Sequence, residues 1–276
     1  EEDTAVILYT SGTTGQPKGA MLSHLGIVHS TLHFQRGFGL GPDDRAMLAV
    51  PASHVTGLVA LIGAMIRAGG ALVMMAEFKA GPFLALMAAE HVSYTILVPA
   101  MYALCALQPD FGDHDLARWR VAGFGGAPMP EATIAELARR LPGLQLANAY
   151  GATETTSPAT MMPLGQNDTH RESVGVPLPC ADLLVVDDDG REVPAGQPGE
   201  IWIGGPMVVN GYWDNPQATR DGFIGGYWRS GDIGLIDDDG YVRVFDRKKD
   251  MINRGGYKIY SVEVENTLVA YPGILE

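Results

Sequence analysis

Cysteine is almost missing: Cys105 and Cys180 are the two thiols in 276 residues, and neither sits in a CxxC pair or any metal-ligand spacing. That excludes a disulfide framework and a zinc site as organising devices and leaves buried, reduced thiols as the expectation. Long apolar runs are also missing. The longest stretch, Val55 to Ile66, stops at Arg67. It falls short of the roughly 20 apolar residues a bilayer span takes, so it reads as a buried helix and no transmembrane segment is expected. Basic residues are scarce, 19 Lys and Arg against 32 Asp and Glu, for a formal net charge of -13. A broad cationic surface for non-specific nucleic-acid binding is thereby excluded, and any phosphate site must be a local exception. The amino end, Glu1-Glu2-Asp3, is acidic where a secretory leader needs positive charge, which makes cytoplasmic residence the expectation. With 46% hydrophobic and 18% charged residues, the chain has ample material for one large domain, or one and a fraction.

What is present begins with Thr10-Ser11-Gly12-Thr13-Thr14-Gly15-Gln16-Pro17-Lys18-Gly19, directly after the apolar run Ala5 to Tyr9. Glycine lets backbone N–H groups turn inward, Ser and Thr add hydroxyl donors, and Lys adds positive charge, so the stretch suits the oxygens of a polyphosphate. Pro17 before Lys18 and Gly19 after it depart from the Walker order, which requires Gly-Lys-Ser/Thr running into a helix. A mobile surface loop is the competing reading of these ten residues alone.

Along the chain, strands are expected at Ala5–Tyr9, Arg45–Val50, Ala71–Met75, Tyr94–Val98, Val121–Phe124 and Gln145–Ala149. Helices are expected from an N-cap at Ser23 towards Gly37, after His54, and over Pro82–His91 and Glu131–Leu141. This alternation predicts a sheet covered by helices on both faces. After Val176 the pattern turns to hairpins, Leu183–Val186 with Gly199–Ile203 and Gly234–Ile236 with Tyr241–Phe245, punctuated by Asp187–Gly190 and Asp237–Gly240. The acidic turns lack EF-hand ligand spacing and read as solvated loops. A charged break at Arg247-Lys248-Lys249-Asp250 then introduces a further unit with helical character over Ser261–Ala270.

Four motifs in this order, the Thr10–Gly19 loop, Tyr150-Gly151-Ala152-Thr153-Glu154, Ser230-Gly231-Asp232, and Asp246-Arg247-Lys248-Lys249-Asp250 with Gly255-Gly256-Tyr257-Lys258, resemble the adenylate-forming superfamily. That superfamily comprises acyl-CoA and aryl-CoA ligases, luciferases and peptide-synthetase adenylation domains, and the likeness is greatest to the acyl-CoA synthetase branch. The resemblance implies an α/β fold: a helix-covered, largely parallel sheet over residues 1–176, a small antiparallel β-rich subdomain over 177–248, and a hinge with the start of a small C-terminal domain over 249–276. It also implies a reaction in which a carboxylic acid and ATP form an acyl-adenylate, with Mg²⁺, followed by transfer to CoA.

By the same resemblance Thr10 and Lys18, with Ser11, Gly12, Thr13, Thr14 and Gly15, close over the β- and γ-phosphates. Tyr150 packs on adenine beside Gly151, Thr153 reaches the α-phosphate region, and Glu154 holds the metal. Gly125-Gly126-Ala127-Pro128 lies along the base, Asp232 accepts from the ribose hydroxyls, and Arg247 reaches ribose or phosphate. Lys249 is the hinge, and Gly255 and Gly256 face the thiol tunnel. His54 is a candidate gate between the carboxylate and thiol sites, with simple packing at a helix start as its alternative. Val55, Met101, Tyr102, Phe124 and Thr155 are candidates for the acyl pocket, or plain core. No aspartate lies in Pro51–Gly57 to pair with a substrate ammonium, which disfavours an amino acid and leaves a fatty or aryl acid.

Relatives in the superfamily carry a region before the phosphate loop and a catalytic lysine late in the small domain, so this sequence is expected to be a piece of such a ligase, impaired alone. Two further readings stay open: a non-catalytic nucleotide- or acyl-binding module, and an adenylating enzyme with another acceptor. Apolar edges left by a truncated sheet would favour a homo-oligomer.

Overall fold

The computed structural model of the chain describes residues 1–10, 17–254, 257–261, 264, 267, 268 and 271. Its first element is a hairpin rather than a strand of the main sheet. Strand β1 (Thr4–Thr10) pairs antiparallel with β2 (Lys18–Ser23), Thr10 opposite Lys18. The two ends of the ten-residue motif therefore sit side by side. Helix α1 (His24–Gly37) follows, its first turn closed by Ser23, whose Oγ accepts the Gly26 N–H at 3.0 Å.

Seven of the described strands form the main sheet, which contains β3 (Arg45–Leu48), β4 (Ala71–Met74), β5 (Tyr94–Leu97), β6 (Val121–Phe124), β7 (Gln145–Tyr150), β8 (Thr160–Met161) and β9 (Val176–Pro177). Their spatial order is β4-β3-β5-β6-β7-β8-β9. The first five are parallel, and β8 and β9 are added at one edge through antiparallel pairings, β8 on β7 and β9 on β8. The apolar stretch after His54 is helical as expected, but it begins as a π-helix (Thr56–Gly63) and becomes α2 only at Ala64–Ala68. Helices α3 (Ala80–Ala89), α4 (Pro99–Ala106) and α5 (Glu131–Arg140) complete the layers. The sequence reading omitted α4, although Pro99 stands at its first turn, where a missing N–H costs nothing.

Strand alternation divides the core in two. Ala46, Leu48, Tyr94, Ile96, Val121, Ala147 and Ala149 pack with α1, the π-helix and α2. The alternate residues Met47, Leu97, Ala122, Phe124 and Leu146 pack with α3, α4 and α5. Successive side chains on a strand point to opposite faces, so this partition is what helices on both faces require. At the amino edge of the sheet Arg120 clamps Asp44 with Nε and Nη2 at 3.0 and 2.7 Å, and Ser93 Oγ donates to the same carboxylate at 2.7 Å. Burial opposes ionisation of Asp44, but these donors outweigh it and lower its pKa.

The second sheet is antiparallel, in order β10 (Asp182–Val186), β11 (Gly199–Gly204), β13 (Tyr227–Ile236) and β12 (Phe223–Ile224), with β14 (Val242–Arg247) also on β13. Ile201, Ile203, Trp228 and Val242 form its apolar face. Short helix α6 (Pro216–Gly222) enters through Asn215, whose Oδ1 accepts the Ala218 N–H. The chain continues as the hairpin β15 (Ile252–Arg254) and β16 (Tyr257–Ile259), after which Ser261, Val264, Thr267 and Leu268 are helical. Cys105 is buried, but Cys180 is exposed, contrary to the expectation of two buried thiols; Cys180 sits at φ 68° in the connection to β10.

Candidate active site

A cavity of about 1840 Å³ opens at the carboxyl ends of β3, β4, β5, β6 and β7 and extends to β13 and the residues after β14. That end of a parallel sheet gathers loops from several strands and is where open α/β folds take ligands.

Its polar half is built from segments far apart in sequence. Thr10 and Lys18, paired across the β1–β2 hairpin, both line it. The hairpin is fastened to the body by Met21 N–H to Gly211 O at 3.1 Å and Trp213 N–H to Gly19 O at 2.7 Å. Thr153 and Glu154 enter on a single 3₁₀ turn after β7. Glu154 is buried, and Tyr212 Oη donates to its Oε1 at 2.8 Å. Burial, reinforced by the Glu154 carboxylate, raises the pKa of that phenol and keeps it a donor.

Glu154 Oε2 has no hydrogen-bond donor among the described residues, and no group of three or more His, Cys, Asp or Glu is placed to hold a metal among them. One carboxylate oxygen without a donor, on a residue that lines the cavity and without a protein cage, fits a cation such as magnesium that keeps waters and takes its other ligands from substrate phosphates. It does not fit zinc.

The wall between these groups and the apolar half is bare backbone. Gly125 and Gly126 line the cavity after β6, and a Cβ on Gly125 would lie 2.4 Å from Ala149 O. The absent side chain lets the backbone ends of β6 and β7 approach closely. Tyr150 and Asp232 stand just behind this wall rather than lining it. Tyr150 Oη donates to Asp232 Oδ2 at 2.6 Å, and Arg247 Nε lies 2.7 Å from Asp232 Oδ1. Asp232 and Arg247 are register partners of β13 and β14. Burial raises the Asp232 pKa, with Arg247 and Tyr150 pulling it back, and Tyr150 is raised by burial and then by Asp232. Arg247 is half exposed and lines the cavity, as does Lys249. Lys248 lines it too and is paired with Asp188 and Glu200 at 3.1 and 3.2 Å.

The apolar half is lined by Val55, Met74, Met75, Phe78, Val98 and Met101. His54 stands at its border, and its Nδ1 accepts the Thr56 N–H at 3.2 Å, which fixes the proton of the neutral ring on Nε2. The ring keeps substantial exposure, yet the enclosure of the rest lowers its pKa through desolvation. The Pro51–His54 turn approaches the π-helix so closely that a Cβ on Gly57 would lie 2.3 Å from Pro51 O.

Several residues selected from the sequence fall elsewhere. Phe124 is 3% exposed, on the strand face turned towards α3–α5. Tyr102 is wholly buried there, bonded to Thr95 and Gly123. Thr155 spends its hydroxyl on the Ala152 backbone. None of the three lines the cavity, so they are corrected from pocket candidates to core and turn supports. Ala127 and Pro128 are exposed beyond the cavity rim. Ser11, Gly12, Thr13, Thr14, Gly15, Gly255 and Gly256 lie outside the described residues. Conversely, Tyr212, Ser157 and Asn215 line the cavity without having been selected. The aromatic pair Tyr212-Trp213 after Gly211 was the available signal for the first.

The fold and cavity together define an α/β protein with an open cavity across the carboxyl edge of a parallel sheet and the β1–β2 hairpin on one side of it. The chain belongs to the AMP-binding enzyme family, which matches residues 1–213. It is 37% identical to a feruloyl-CoA synthase of Amycolatopsis sp over 99% of this chain and 55% of that protein. It is 35% identical to a long-chain-fatty-acid–CoA ligase of Mycobacterium tuberculosis over 100% of this chain and 54% of that protein. The O-succinylbenzoate coenzyme A synthetase of Bacillus subtilis, solved with ATP and magnesium ion, superposes with a TM-score of 0.91 at 29% identity, covering 100% of this chain and 56% of that one. The chain thus spans about half the length of the curated relatives it matches. No helix among the described residues is long and apolar enough to cross a membrane.

Proposed function

We propose that a protein carrying this chain activates a carboxylic acid with ATP and passes the acyl group to the thiol of CoA. One observation carries the reading: Thr10, Lys18, Thr153, Glu154 and Arg247, drawn from the whole length of the sequence, converge on one cavity whose other half is apolar. The polar half suits the triphosphate and the apolar half the acid, with the carboxylate directed at their junction. In the first step a carboxylate oxygen bonds to the α-phosphorus as the bond to the departing pyrophosphate breaks. In the second the CoA sulfur bonds to the acyl carbon and AMP leaves with the former carboxylate oxygen, the thiol proton passing to solvent.

Such chemistry needs in-line positioning and charge neutralisation more than covalent help. Lys18 and Arg247 supply positive charge, Thr10 and Thr153 supply hydroxyl donors, and Glu154 would hold magnesium, which when bound neutralises phosphate charge. Gly125, Gly126 and Gly151 form the adenine slot, with Tyr150 behind it, and the Asp232–Arg247 pair serves the ribose. His54 divides the acyl half from the thiol approach. Met74, Met75 and Met101 give an adaptable lining, which favours a fatty or aryl acid over a small polar one. Residues 1–176 act as the ATP- and acyl-binding unit and 177–248 as a β-rich subdomain beside it, and Lys249 is the hinge about which the following residues turn between the two steps.

Acid-dependent pyrophosphate release over a panel of fatty and aryl acids tests the first step, and comparing CoA with hydroxylamine as acceptor tests the second. Release that is stimulated by an acid and yields an acyl-CoA is expected. Release without any dependence on acid, or products formed with hydroxylamine and never with CoA, would reject the corresponding step.

A further inference from the structure

Tyr212 is held at four points. Its backbone bridges Ala20 of β2, its N–H donates to Thr219 Oγ1 at 3.0 Å, and its ring meets Phe223 edge-on at 5.6 Å between centroids. Its hydroxyl donates to Glu154 Oε1 at 2.8 Å. The face of the same ring lies 5.0 Å from Lys18 Nζ. Lys18 has no carboxylate within ion-pair distance among the described residues.

These contacts differ in kind. The O–H bond restrains the rotation of the Glu154 carboxylate and occupies Oε1, leaving Oε2 of this cavity-lining residue without a donor among the described residues. The ring face attracts the Lys18 ammonium but leaves its charge uncompensated, so a phosphate can take it over without first breaking an ion pair. A carboxylate in the place of the ring would hold Lys18 back. An aliphatic side chain would leave it without a fixed position.

Resting on the magnesium–ATP reading above, we infer that Tyr212 is a positioning residue that registers the Lys18 hairpin to the metal-binding carboxylate. It makes the binding of phosphate by Lys18 and of metal by Glu154 interdependent. It acts through the two groups it aligns. Coupling of this sort is a free energy shared between two contacts, and a cycle of variants measures it.

Calorimetric titration of the 276-residue chain with ATP, with and without Mg²⁺, tests the inference independently of turnover. Tyr212→Phe keeps the ring and removes the hydroxyl. The gain in ATP affinity conferred by Mg²⁺ should fall about fivefold, with affinity in the absence of Mg²⁺ unchanged. Tyr212→Leu removes the ring as well and should also weaken metal-free ATP binding. Thermal unfolding of each variant separates these effects from loss of fold. Should Tyr212→Phe not fold, the cycle of Lys18→Met with Glu154→Gln in Mg²⁺ replaces it, and departure from additivity of about threefold or more is expected. Equal behaviour of Tyr212→Phe and parent with and without Mg²⁺, or an additive cycle, overturns the positioning role while leaving nucleotide binding intact. A parent chain that binds no ATP overturns this inference, while the proposed function is judged separately by acid-dependent pyrophosphate release from a protein carrying the chain.

Discussion

Arg247 and Asp232 face each other across β13 and β14, Nε to Oδ1 at 2.7 Å, with the arginine half exposed and the aspartate 6% exposed at its side chain. The aspartate is thus committed inside the protein while the arginine can turn to a ligand. Tyr150 holds the other oxygen at 2.6 Å. Asp232→Ala should cost about 2 kcal/mol, because it strands a phenol and one face of a guanidinium. Tyr150→Phe, which leaves the ion pair in place, should cost about 1 kcal/mol. Urea unfolding of the three proteins checks the ranking, and equal midpoints for Asp232→Ala and Tyr150→Phe would contradict it.

The glycine wall gives a prediction about shape. Gly125→Ala places a methyl 2.4 Å from Ala149 O, and Gly57→Ala places one 2.3 Å from Pro51 O. Both neighbours are backbone and cannot swing aside, so each substitution should destabilise by about 1 to 3 kcal/mol. Gly125→Ala should in addition weaken ATP binding, whereas Gly57→Ala should alter the response to the acid. Calorimetry with ATP and initial rates against acid concentration distinguish them.

Phe124 and Met101, both pocket candidates in the sequence, should respond oppositely. Phe124 is sealed into the α3–α5 core, so Phe124→Ala should cost about 3 to 5 kcal/mol in stability. Met101 is half-buried at the cavity surface, and Met101→Ala should cost under about 2 kcal/mol while shifting the preferred length or bulk of the acid. Thermal unfolding and an acid panel, run on both, measure the contrast.

On α1, His29 and His33 place their Nε2 atoms 3.2 Å apart, and His29 Nε2 also lies 3.2 Å from Pro179 O. Burial, then the neighbouring His29 and Arg36, lower His33 to about 4 from its ordinary 6.5. Between those values the unfolded chain binds more protons than the folded one. Stability therefore falls as pH is lowered through that window, and this contribution is complete below pH 4. Allowing for solvent screening of a partly enclosed ring, the loss should be about 1 to 2 kcal/mol. Urea midpoints from pH 7 to 4.5 should decline less steeply in His33→Gln than in the parent, and parallel profiles would remove His33 from the effect.

The strand–helix alternation, the Ser23 cap and the acidic hairpin turns were legible because local periodicity and turn chemistry determine them. The partner of β1 was not, since Lys18–Ser23 reads as the tail of a glycine-rich motif until its pairing with Gly211–Trp213 is seen. Motif residues such as Glu154 and Arg247 stood out by their neighbours in sequence. Tyr212 acquires its importance only from residues 58 and 194 positions away, which no local pattern encodes. Phe124 and Thr155 were misplaced for a related reason. Being apolar or hydroxylated at a strand end does not specify which side of the wall a side chain takes, and here the sheet's alternation and a backbone turn settled it.

Acid-dependent exchange of labelled pyrophosphate into ATP tests the central claim most directly, because it requires reversible joining of a carboxylate to the α-phosphate and nothing from the thiol step. A protein carrying this chain should catalyse exchange only when a fatty or aryl acid is present, and Glu154→Gln should lower it by about tenfold or more with little change in apo stability. Exchange that proceeds equally without acid, or ATP binding with no exchange for any acid in the panel, would contradict carboxylate adenylation at this cavity.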